Sequence, residues 1–453
     1  MTALTTVVYD DLSRESCPRR PPSDRFARIR PALAILTLST ILALCVSAAS
    51  ADVALRCGRV LDVRTGQASA ATIVVRDERI SQVGQEAPAG IPVIDLTKAT
   101  CLPGLIDTHV HLAFGSSDVQ AGYLNRSSAR KALDALRDAQ LMLNLGFTTL
   151  RNPGDNDKYY ATIELRNAIN RGEFIGPRLI VAPHFLSPTG GHADLNEVSP
   201  DIASIGRGVI VNGADQMRAA VREEIKYGAD WIKLFATGGV LSAATDPNAT
   251  AFTDEELHAA VDEAHRHGKR VAAHAIGTNG INACLRAGVD SIEHGFLIDD
   301  EGIAMMKQRG TFLVPTIEIA DFVVEEGAQH GLPPDRVAKA RALIAERDRR
   351  LRAAFAAGVR VAFGTDSGPM PFTRSVREFA KLVNLGLTPA MVIRSATISA
   401  AELLGLDKEI GTIEAGKRAD IVATTENPLD NIRTLEQVTF VMKDGRVIRN
   451  DNR

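Results

Sequence analysis

The feature that most constrains the fold is a repeated pattern in the middle of the chain, where short apolar runs alternate with amphipathic, helix-like sequence. Such uninterrupted apolar runs are typical of strands buried on both faces, and their strict alternation with helices predicts a parallel sheet. A count of eight favours a closed (β/α)8 TIM barrel, which is an α/β fold. The eight predicted strands are Leu105–His109, Phe147–Arg151, Arg178–Pro183, Trp231–Phe235, Arg270–His274, Ser291–Glu293, Thr311–Thr316 and Val359–Gly364.

Glycines and capping signals place the helices between these strands. Segments Ser128–Leu145 and Ala214–Tyr227 each stop before a glycine, which is the usual C-terminal cap of a helix. Thr253 and Glu256 can satisfy each other's amides in a capping box at the start of another helix. A doubly wound open sheet is the rival α/β architecture, but no G-x-G-x-x-G phosphate loop follows the first strand.

The two ends of the chain carry a different pattern. Ala71–Val75 and Arg79–Val83 are short alternating segments, and Ala419–Thr424 and Phe440–Ile448 resemble them. Neither end is long enough for a stable domain, so we expect one small β-sandwich built from both termini. The predicted divisions are a signal peptide over 1–51, the sandwich over 52–103 and 406–453, and the barrel over 104–405.

The first 51 residues predict a secretory signal peptide. Three arginines between positions 25 and 30 precede the apolar run Pro31–Ala49, and Ala49-Ser50-Ala51 forms an A-x-A cleavage site. A retained membrane anchor is the alternative, but the run barely reaches the roughly 20 apolar residues that a spanning helix needs. We therefore expect a periplasmic or secreted protein without stable membrane association after cleavage.

The composition bears on two questions, which are whether the protein binds nucleic acid and whether its cysteines form disulfides. A net charge of -3 and 5% aromatic residues disfavour a nucleic-acid partner. Three cysteines follow the predicted cleavage site, too few for a disulfide framework. Export would permit one bridge between Cys57 and Cys101, but buried free thiols explain the same two residues equally well.

Residues suited to metal binding stand at or near the ends of five predicted strands. Two of them, His109 and His111, are spaced i and i+2, so both imidazoles face the same side of a strand and can reach one ion. Active sites of (β/α)8 barrels lie at the carboxyl ends of the strands, where these side chains would meet. The six residues are His109, His111, Lys233, His274, His294 and Asp366.

Each of these residues also has an ordinary structural explanation. A histidine at a strand end is often simply hydrogen-bonded within the fold, and Asp366 could cap the following helix. Lys233 is harder to explain, because a buried ammonium costs several kcal/mol unless it is paired or neutralised. Six such residues on five strand ends argue against coincidence and favour a metal site.

Longer motifs resemble the amidohydrolase superfamily over essentially the whole mature chain. Cys101–His111, with the sequence CLPGLIDTHVH, resembles the motif that opens the barrel in that superfamily. Ala396–Gly405 is similar to its last helix, and Gly411–Asp420 to its return into the sandwich. Gly176-Pro177-Arg178 and Thr189–His192 resemble the imidazolonepropionase-like and prolidase-like branch. That branch includes dipeptidases, carboxypeptidases and relatives that hydrolyse the amide of ochratoxin.

The resemblance implies a centre with two divalent metal ions, for which zinc is the expected metal and manganese or cobalt the alternatives. Lys233 would be carbamylated by carbon dioxide and bridge the two ions. A hydroxide between the ions would attack the amide carbonyl, and Asp366 would pass its proton to the leaving nitrogen. The implied ligands are His109, His111 and Asp366 for one ion, and His274 and His294 for the other.

Substrate contacts are predicted for four further residues, which are His192, His184, Arg151 and Arg374. His192 lies in the loop after the third strand and is also expected to act in catalysis. The two arginines suit a substrate carboxylate, although an ion pair for Arg151 and a solvated helix face for Arg374 are structural alternatives. Ile276, where relatives often carry His or Tyr, and the apolar Met370 and Phe372 predict a more apolar pocket.

The sequence therefore predicts a secreted or periplasmic enzyme that cleaves the amide bond of dipeptides or N-acyl amino acids, ochratoxin-type amides included. A cyclic amidohydrolase or deaminase acting on a ring is the alternative. A non-catalytic binding protein is disfavoured by the intact ligand set. We expect a small-molecule or peptide substrate, no nucleic acid, and, by analogy alone, a homo-oligomer.

Overall fold

The computed structural model describes residues 52–115, 125–196, 199, 208–242 and 245–452, which form an α/β fold with three sheets. The predicted signal peptide lies outside this part of the chain. Within it, no helix combines the length and the apolar character needed to cross a membrane.

The strands and helices alternate through the middle of the chain. The strands are β1 (Val53–Asp62), β2 (Gln67–Arg76), β3 (Arg79–Gly84), β4 (Val93–Pro103), β5 (Leu105–Asp107), β6 (Phe147–Pro153), β7 (Arg178–Ala182), β8 (Phe185–Ser187), β9 (Val209–Ile210), β10 (Trp231–Phe235), β11 (Arg270–Ala275), β12 (Ser291–His294), β13 (Phe312–Val314), β14 (Ile421–Thr424), β15 (Phe440–Lys443) and β16 (Arg446–Asn450). The helices are α1 (Ser128–Asn144), α2 (Ala161–Asn170), α3 (Ala214–Lys226), α4 (Asp254–Arg266), α5 (Thr278–Ala287), α6 (Asp300–Arg309), α7 (Ile317–Glu325), α8 (Pro334–Ala356), α9 (Glu378–Asn384), α10 (Pro389–Ser395) and α11 (Ile398–Leu404).

Strands from both ends of the chain pair in one seven-stranded sheet, in the order β16-β15-β14-β4-β1-β2-β3. The two ends meet where β4 runs antiparallel to β14, with Cys101 opposite Ala423. Cys57 on β1 and Cys101 on β4 form a disulfide, whereas Cys284 is a buried free thiol. The sequence left open whether Cys57 and Cys101 are free thiols or a disulfide, and the structure contains the disulfide.

The parallel strands form a six-stranded sheet, β13-β12-β11-β10-β8-β9, and a three-stranded sheet, β5-β6-β7. The third predicted strand, Arg178–Pro183, corresponds to β7, which pairs with β6; after two intervening residues the additional short strand β8 pairs with β10. The carboxyl ends of these parallel strands therefore lie along one edge, where the cavity described below is found.

The eighth predicted strand, Val359–Gly364, is not a regular strand. It makes an isolated parallel bridge between Val361 and Leu313 of β13. On its other side, the Thr108 amide donates to the Phe363 carbonyl at 2.9 Å. The segment thus connects β13 to the chain that follows β5, but too few consecutive residues pair with either neighbour to make a continuous ladder.

The predicted helices begin and end within a few residues of the observed ones. The capping box at Thr253 and Glu256 is present and starts α4. The sequence analysis missed α7, whose nine residues Ile317–Glu325 are mostly buried, although Glu318, Asp321 and Glu325 recur at helical spacing on one polar face. The i, i+3 and i+7 spacing of these three carboxylates is the sequence signal that favours a helix over a buried strand.

Candidate metal centre

Seven of the residues predicted to act in metal binding or catalysis line a single cavity of about 660 Å³ at the carboxyl ends of the parallel strands. These residues are His109, His111, His192, Lys233, His274, His294 and Asp366.

Strained backbone positions direct two of these side chains. His294 and Asp366 have left-handed conformations, with φ of 72° and 58°, and so does Thr316, with φ of 46°. Such conformations cost on the order of 1–3 kcal/mol for residues other than glycine and persist only where the surroundings fix them. Asp107 helps to fix Asp366, because it accepts hydrogen bonds from the hydroxyl of the neighbouring Thr365 at 2.7 Å and from the His109 amide at 3.0 Å.

The side-chain donor atoms lie close enough to share an ion. Asp366 Oδ1 is 3.1 Å from His111 Nε2 and 3.6 Å from His109 Nε2. The potential ligand atoms of His109, His294 and Asp366 all lie within 4.8 Å of one another. Nitrogen and oxygen ligands that bind zinc at about 2.0–2.2 Å stand at comparable separations, so this donor set fits a divalent metal.

Hydrogen bonds on the far side of each ring orient the histidines. His109 Nδ1 lies 2.6 Å from Glu293 Oε2, and His111 Nδ1 donates to the Gly154 carbonyl at 2.6 Å. His294 Nδ1 lies 2.6 Å from the Thr316 hydroxyl. Partners of this kind hold the tautomer in which the opposite nitrogen is free to bind a metal.

Three of the cavity histidines, His109, His274 and His294, are held in the uncharged form that metals require. Burial lowers the pKa of His109 and His294 well below the ordinary value, and it lowers the pKa of His274 to about 3. The neighbouring Lys233 ammonium acts in the same direction on all three rings. At neutral pH these imidazoles therefore carry lone pairs rather than protons at the cavity.

Lys233 is the least satisfied polar side chain of the cavity. It lies in the middle of β10 and is 1% exposed, and its Nζ has no hydrogen-bond partner among the described residues. Burial lowers the pKa of this amine to about 8. An unpartnered buried polar group costs about 1–3 kcal/mol, so its presence here indicates that another group completes the site.

Comparison with known proteins agrees with this geometry, since residues 100–448 match the amidohydrolase family. The chain belongs to the amidohydrolase family. It is accordingly a hydrolase that acts on C–N bonds, as the sequence analysis predicted.

Three relatives illustrate the family. Ochratoxinase from Aspergillus niger is 32% identical over 405 residues, covering 84% of this chain and 83% of its own. Imidazolonepropionase from Shouchella clausii is 24% identical over 428 residues, covering 83% and 85%. The crystal structure of a Xaa-Pro dipeptidase with methionine bound in its active site has a TM-score of 0.83 and 37% identity, covering 88% of this chain and all of the other. Such neighbours imply a TIM barrel with a β-sandwich.

Arg151 of this amidohydrolase, for which a substrate contact was predicted, belongs to a buried ion pair. It is fully buried and is not among the described residues that line the cavity. Its guanidinium donates to Glu293 at 2.7 Å and lies 4.6 Å from the centre of the Trp231 ring. Arg151 is thus the counter-ion of the carboxylate that orients His109.

His184 and Arg374 also lie outside the described cavity lining. His184 Nδ1 is 2.9 Å from Glu224. Arg374 donates to Glu318 at 2.7 Å and to Glu325 at 2.9 Å, so its charge is already neutralised. Both side chains therefore have hydrogen-bonded partners within the protein.

His192 does line the cavity, and its ring is held on several sides. Nδ1 lies 2.6 Å from the Ser242 hydroxyl, and the ring stacks on His274 with centroids 4.6 Å apart. Gly239 approaches so closely that a β-carbon there would overlap the ring. The close packing gives His192 one defined orientation beside the predicted metal ligands.

Two supporting groups escaped the sequence analysis. Glu293, described above, directly precedes His294, and an acidic residue inside an apolar strand was the available signal. Near the end of β6, Asn152 accepts a hydrogen bond from the Leu112 amide, and Asp155, just after the strand, accepts one from the Ala113 amide, each at 2.8 Å. These bonds hold the turn that follows His111. Because the bonded residues are about 40 positions apart, no local sequence pattern predicts the pairing.

Proposed function

We propose that this amidohydrolase is an exported enzyme with two metal ions that hydrolyses the amide bond of dipeptides or N-acyl amino acids. The observation that carries the proposal is the buried, unpartnered Lys233 amine among uncharged histidines and Asp366. The names of the ochratoxinase and of the Xaa-Pro dipeptidase among its relatives support amide substrates.

The residues present fit a pair of divalent ions, for which we propose zinc. When bound, the ions would activate water and polarise the amide carbonyl. The side chains that would hold them are His109, His111 and Asp366 for one ion, His274 and His294 for the other, and Lys233 for both.

Lys233 would hold the ions as a carbamate. An amine whose pKa is about 8 has a substantial unprotonated fraction at neutral pH. Its nitrogen can bond to the carbon of carbon dioxide and release one proton to solvent. The product is an anion, so the unfavourable buried ammonium becomes a favourable metal ligand.

Asp366 and His192 are the residues that we assign to catalysis. Asp366 Oδ1 faces the same space as the His109 and His111 Nε2 atoms, so it can take a proton from the attacking water and deliver it to the leaving nitrogen. His192, oriented by Ser242, would contact the substrate carbonyl.

The remaining parts of the proposal concern architecture and location. We infer that the parallel strands close into an eight-stranded TIM barrel through the segment at Val361. The Cys57–Cys101 disulfide supports an oxidising compartment, such as the periplasm or the extracellular space, and hence a signal peptide over 1–51. We also propose a homo-oligomer, by analogy with relatives.

Metal removal and product analysis test the function. We expect purified protein to contain about two divalent ions per chain, and a chelator to reduce amide hydrolysis by about a thousandfold, with recovery on adding zinc. Amino acid release from a panel of dipeptides and N-acyl amino acids identifies the reaction. Active protein without metal would refute the proposal, and ring opening without amino acid release would favour a cyclic amidohydrolase.

A further inference from the structure

Helix α7 presents one apolar face to the cavity. Ile319, Ala320 and Val323 all belong to the cavity lining. Their spacing of i, i+1 and i+4 places them on the same side of the helix. Phe322 lies on a different side, where the Arg374 guanidinium is 5.1 Å from its ring centre. The cavity-facing side is therefore distinct from the side that packs into the protein.

The position of this face is fixed relative to the predicted metal ligands. Thr316, the residue directly before α7, is the hydrogen-bond partner of His294 Nδ1. The first two amides of the helix, at Ile317 and Glu318, donate to the buried Glu378 carboxyl at 2.9 and 2.7 Å. Because the start of α7 is hydrogen-bonded both to His294, through Thr316, and to Glu378, the apolar face of the helix has a fixed position relative to His294.

Two further side chains extend the apolar surface towards the histidines. Phe296 lines the cavity, with its ring centre 5.7 Å from that of His294, and Ile276 lines it two residues after His274. We call Ile276, Phe296, Ile319, Ala320 and Val323 the α7 wall. Met370, which the sequence analysis expected to line the pocket, is instead buried in the cluster to which the wall belongs.

We propose that the α7 wall is a subsite that selects a bulky apolar substituent on one side of the scissile amide. The inference rests on the proposed amide hydrolysis and names the substrate class within it. Ala320 is the smallest side chain of the wall, so the substituent packs over it. A charged substituent would lose its water here and face only apolar side chains, which is costly.

A substrate series tests the preference with the unmodified, metal-loaded enzyme. One series is the N-acetyl derivatives of alanine, leucine, aspartate and lysine, and the other is alanine acylated with acetyl, isovaleryl or succinyl groups. In one of the two series we expect the bulky apolar group to raise kcat/KM about tenfold or more over the small group, and the charged group to lower it. Flat profiles in both series, or a preference for the charged group, would overturn the inference.

A pair of variants then locates the preference. Ala320→Leu fills the space over the wall, whereas Ala328→Leu makes the same change at an exposed position just beyond α7. We expect Ala320→Leu to lower kcat/KM for the bulky substrate about tenfold or more and to change the small one about threefold or less, with metal content unchanged. The Ala328→Leu variant should match the unmodified enzyme on both substrates.

The outcomes separate this inference from the proposed function. If the unmodified enzyme hydrolyses amides but Ala320→Leu alters both substrates equally, the α7 wall is not the subsite and the function stands. If the metal-loaded enzyme hydrolyses neither these two series nor the dipeptides of the panel above, both proposals fail. A melting temperature for each variant shows whether Ala320→Leu is folded, and the substrate series on the unmodified enzyme decides the preference without it.

Discussion

Buried charged groups are paired with each other at the junction between the seven-stranded sheet and the parallel strands, whereas the cavity holds one without a partner among the described residues. At the junction, Arg178 donates to Asp420 at 2.7 Å and to Asp444 at 2.6 Å, and Arg418 also reaches Asp444 at 2.9 Å. In the cavity, the Lys233 amine has no such partner. Groups that the chain itself satisfies contribute to stability, whereas an unsatisfied buried group that lines a cavity awaits a ligand.

The sharpest test exchanges a buried lysine in each region. Lys233→Met removes an unpartnered amine, so we expect about a thousandfold loss of kcat/KM with a melting temperature equal to or above that of the unmodified protein. Lys417→Met, beside the seven-stranded sheet, removes an amine that donates to the Ile410 carbonyl at 3.3 Å. That variant should lose about 1 kcal/mol of stability and keep its activity. Equal activities of the two variants would show that the unpartnered amine in the cavity has no special role in catalysis.

Two arginines extend the comparison to ion pairs. Arg151→Met leaves Glu293 buried without its counter-ion, so we expect a loss of about 3–5 kcal/mol of stability, together with a ten- to hundredfold loss of kcat/KM and of metal affinity. Arg178→Met should also destabilise the protein, but kcat/KM of the folded fraction should change less than about twofold. Denaturant titrations, metal content and steady-state kinetics on both variants measure these effects. Unchanged metal affinity in Arg151→Met would show that the Glu293 pair does not position His109.

The disulfide provides a perturbation confined to the seven-stranded sheet. Replacing both Cys57 and Cys101 with alanine should cost about 2–4 kcal/mol, because the bridge restricts the unfolded chain. Activity at 25 °C should be retained, since neither cysteine belongs to the described cavity lining. Thermal melts with and without a thiol reductant measure the effect. Cys284→Ala is the control, and its melting temperature should remain sensitive to the reductant.

Acid titration gives the smallest expected effect. Burial opposes ionisation of Asp444, but Arg178 and Lys443 outweigh it and lower its pKa to about 2. Because this pKa is lower in the folded than in the unfolded protein, the stabilisation is complete above about pH 4 and is lost as the pH falls towards 2. Asp444→Asn should therefore cost about 1–2 kcal/mol at neutral pH, a fraction of that near pH 2, and nothing near pH 1, below both pKa values. A constant difference between the two proteins from pH 2 to 7 would contradict this assignment.

The residues that line the cavity could be predicted from sequence because parallel strands bring their carboxyl ends together even when their exact limits are uncertain. His109, Lys233 and Asp366 were found in this way. The α7 wall could not be predicted, because the apolar face of a helix has the same sequence pattern whether it lines a cavity or packs in the core.

The partners of buried charges were equally inaccessible. Arg151 follows an apolar run, and the carboxylate that binds it, Glu293, lies 142 residues further along the chain. Arg374 and its partner Glu318 are 56 residues apart. Since an arginine at a strand end suits a substrate carboxylate as well as a distant glutamate, only the tertiary structure distinguishes the two.

The stacking of Trp231 on Arg151 has a spectroscopic consequence. Trp231 is the one tryptophan of the chain, and it lies two residues before Lys233 on β10. Indole emission therefore reports from a single place, beside the guanidinium that neutralises Glu293. A change in charge at Lys233 or His109 would alter the field at that ring, so the binding of metal can be followed in real time by intrinsic fluorescence without a label.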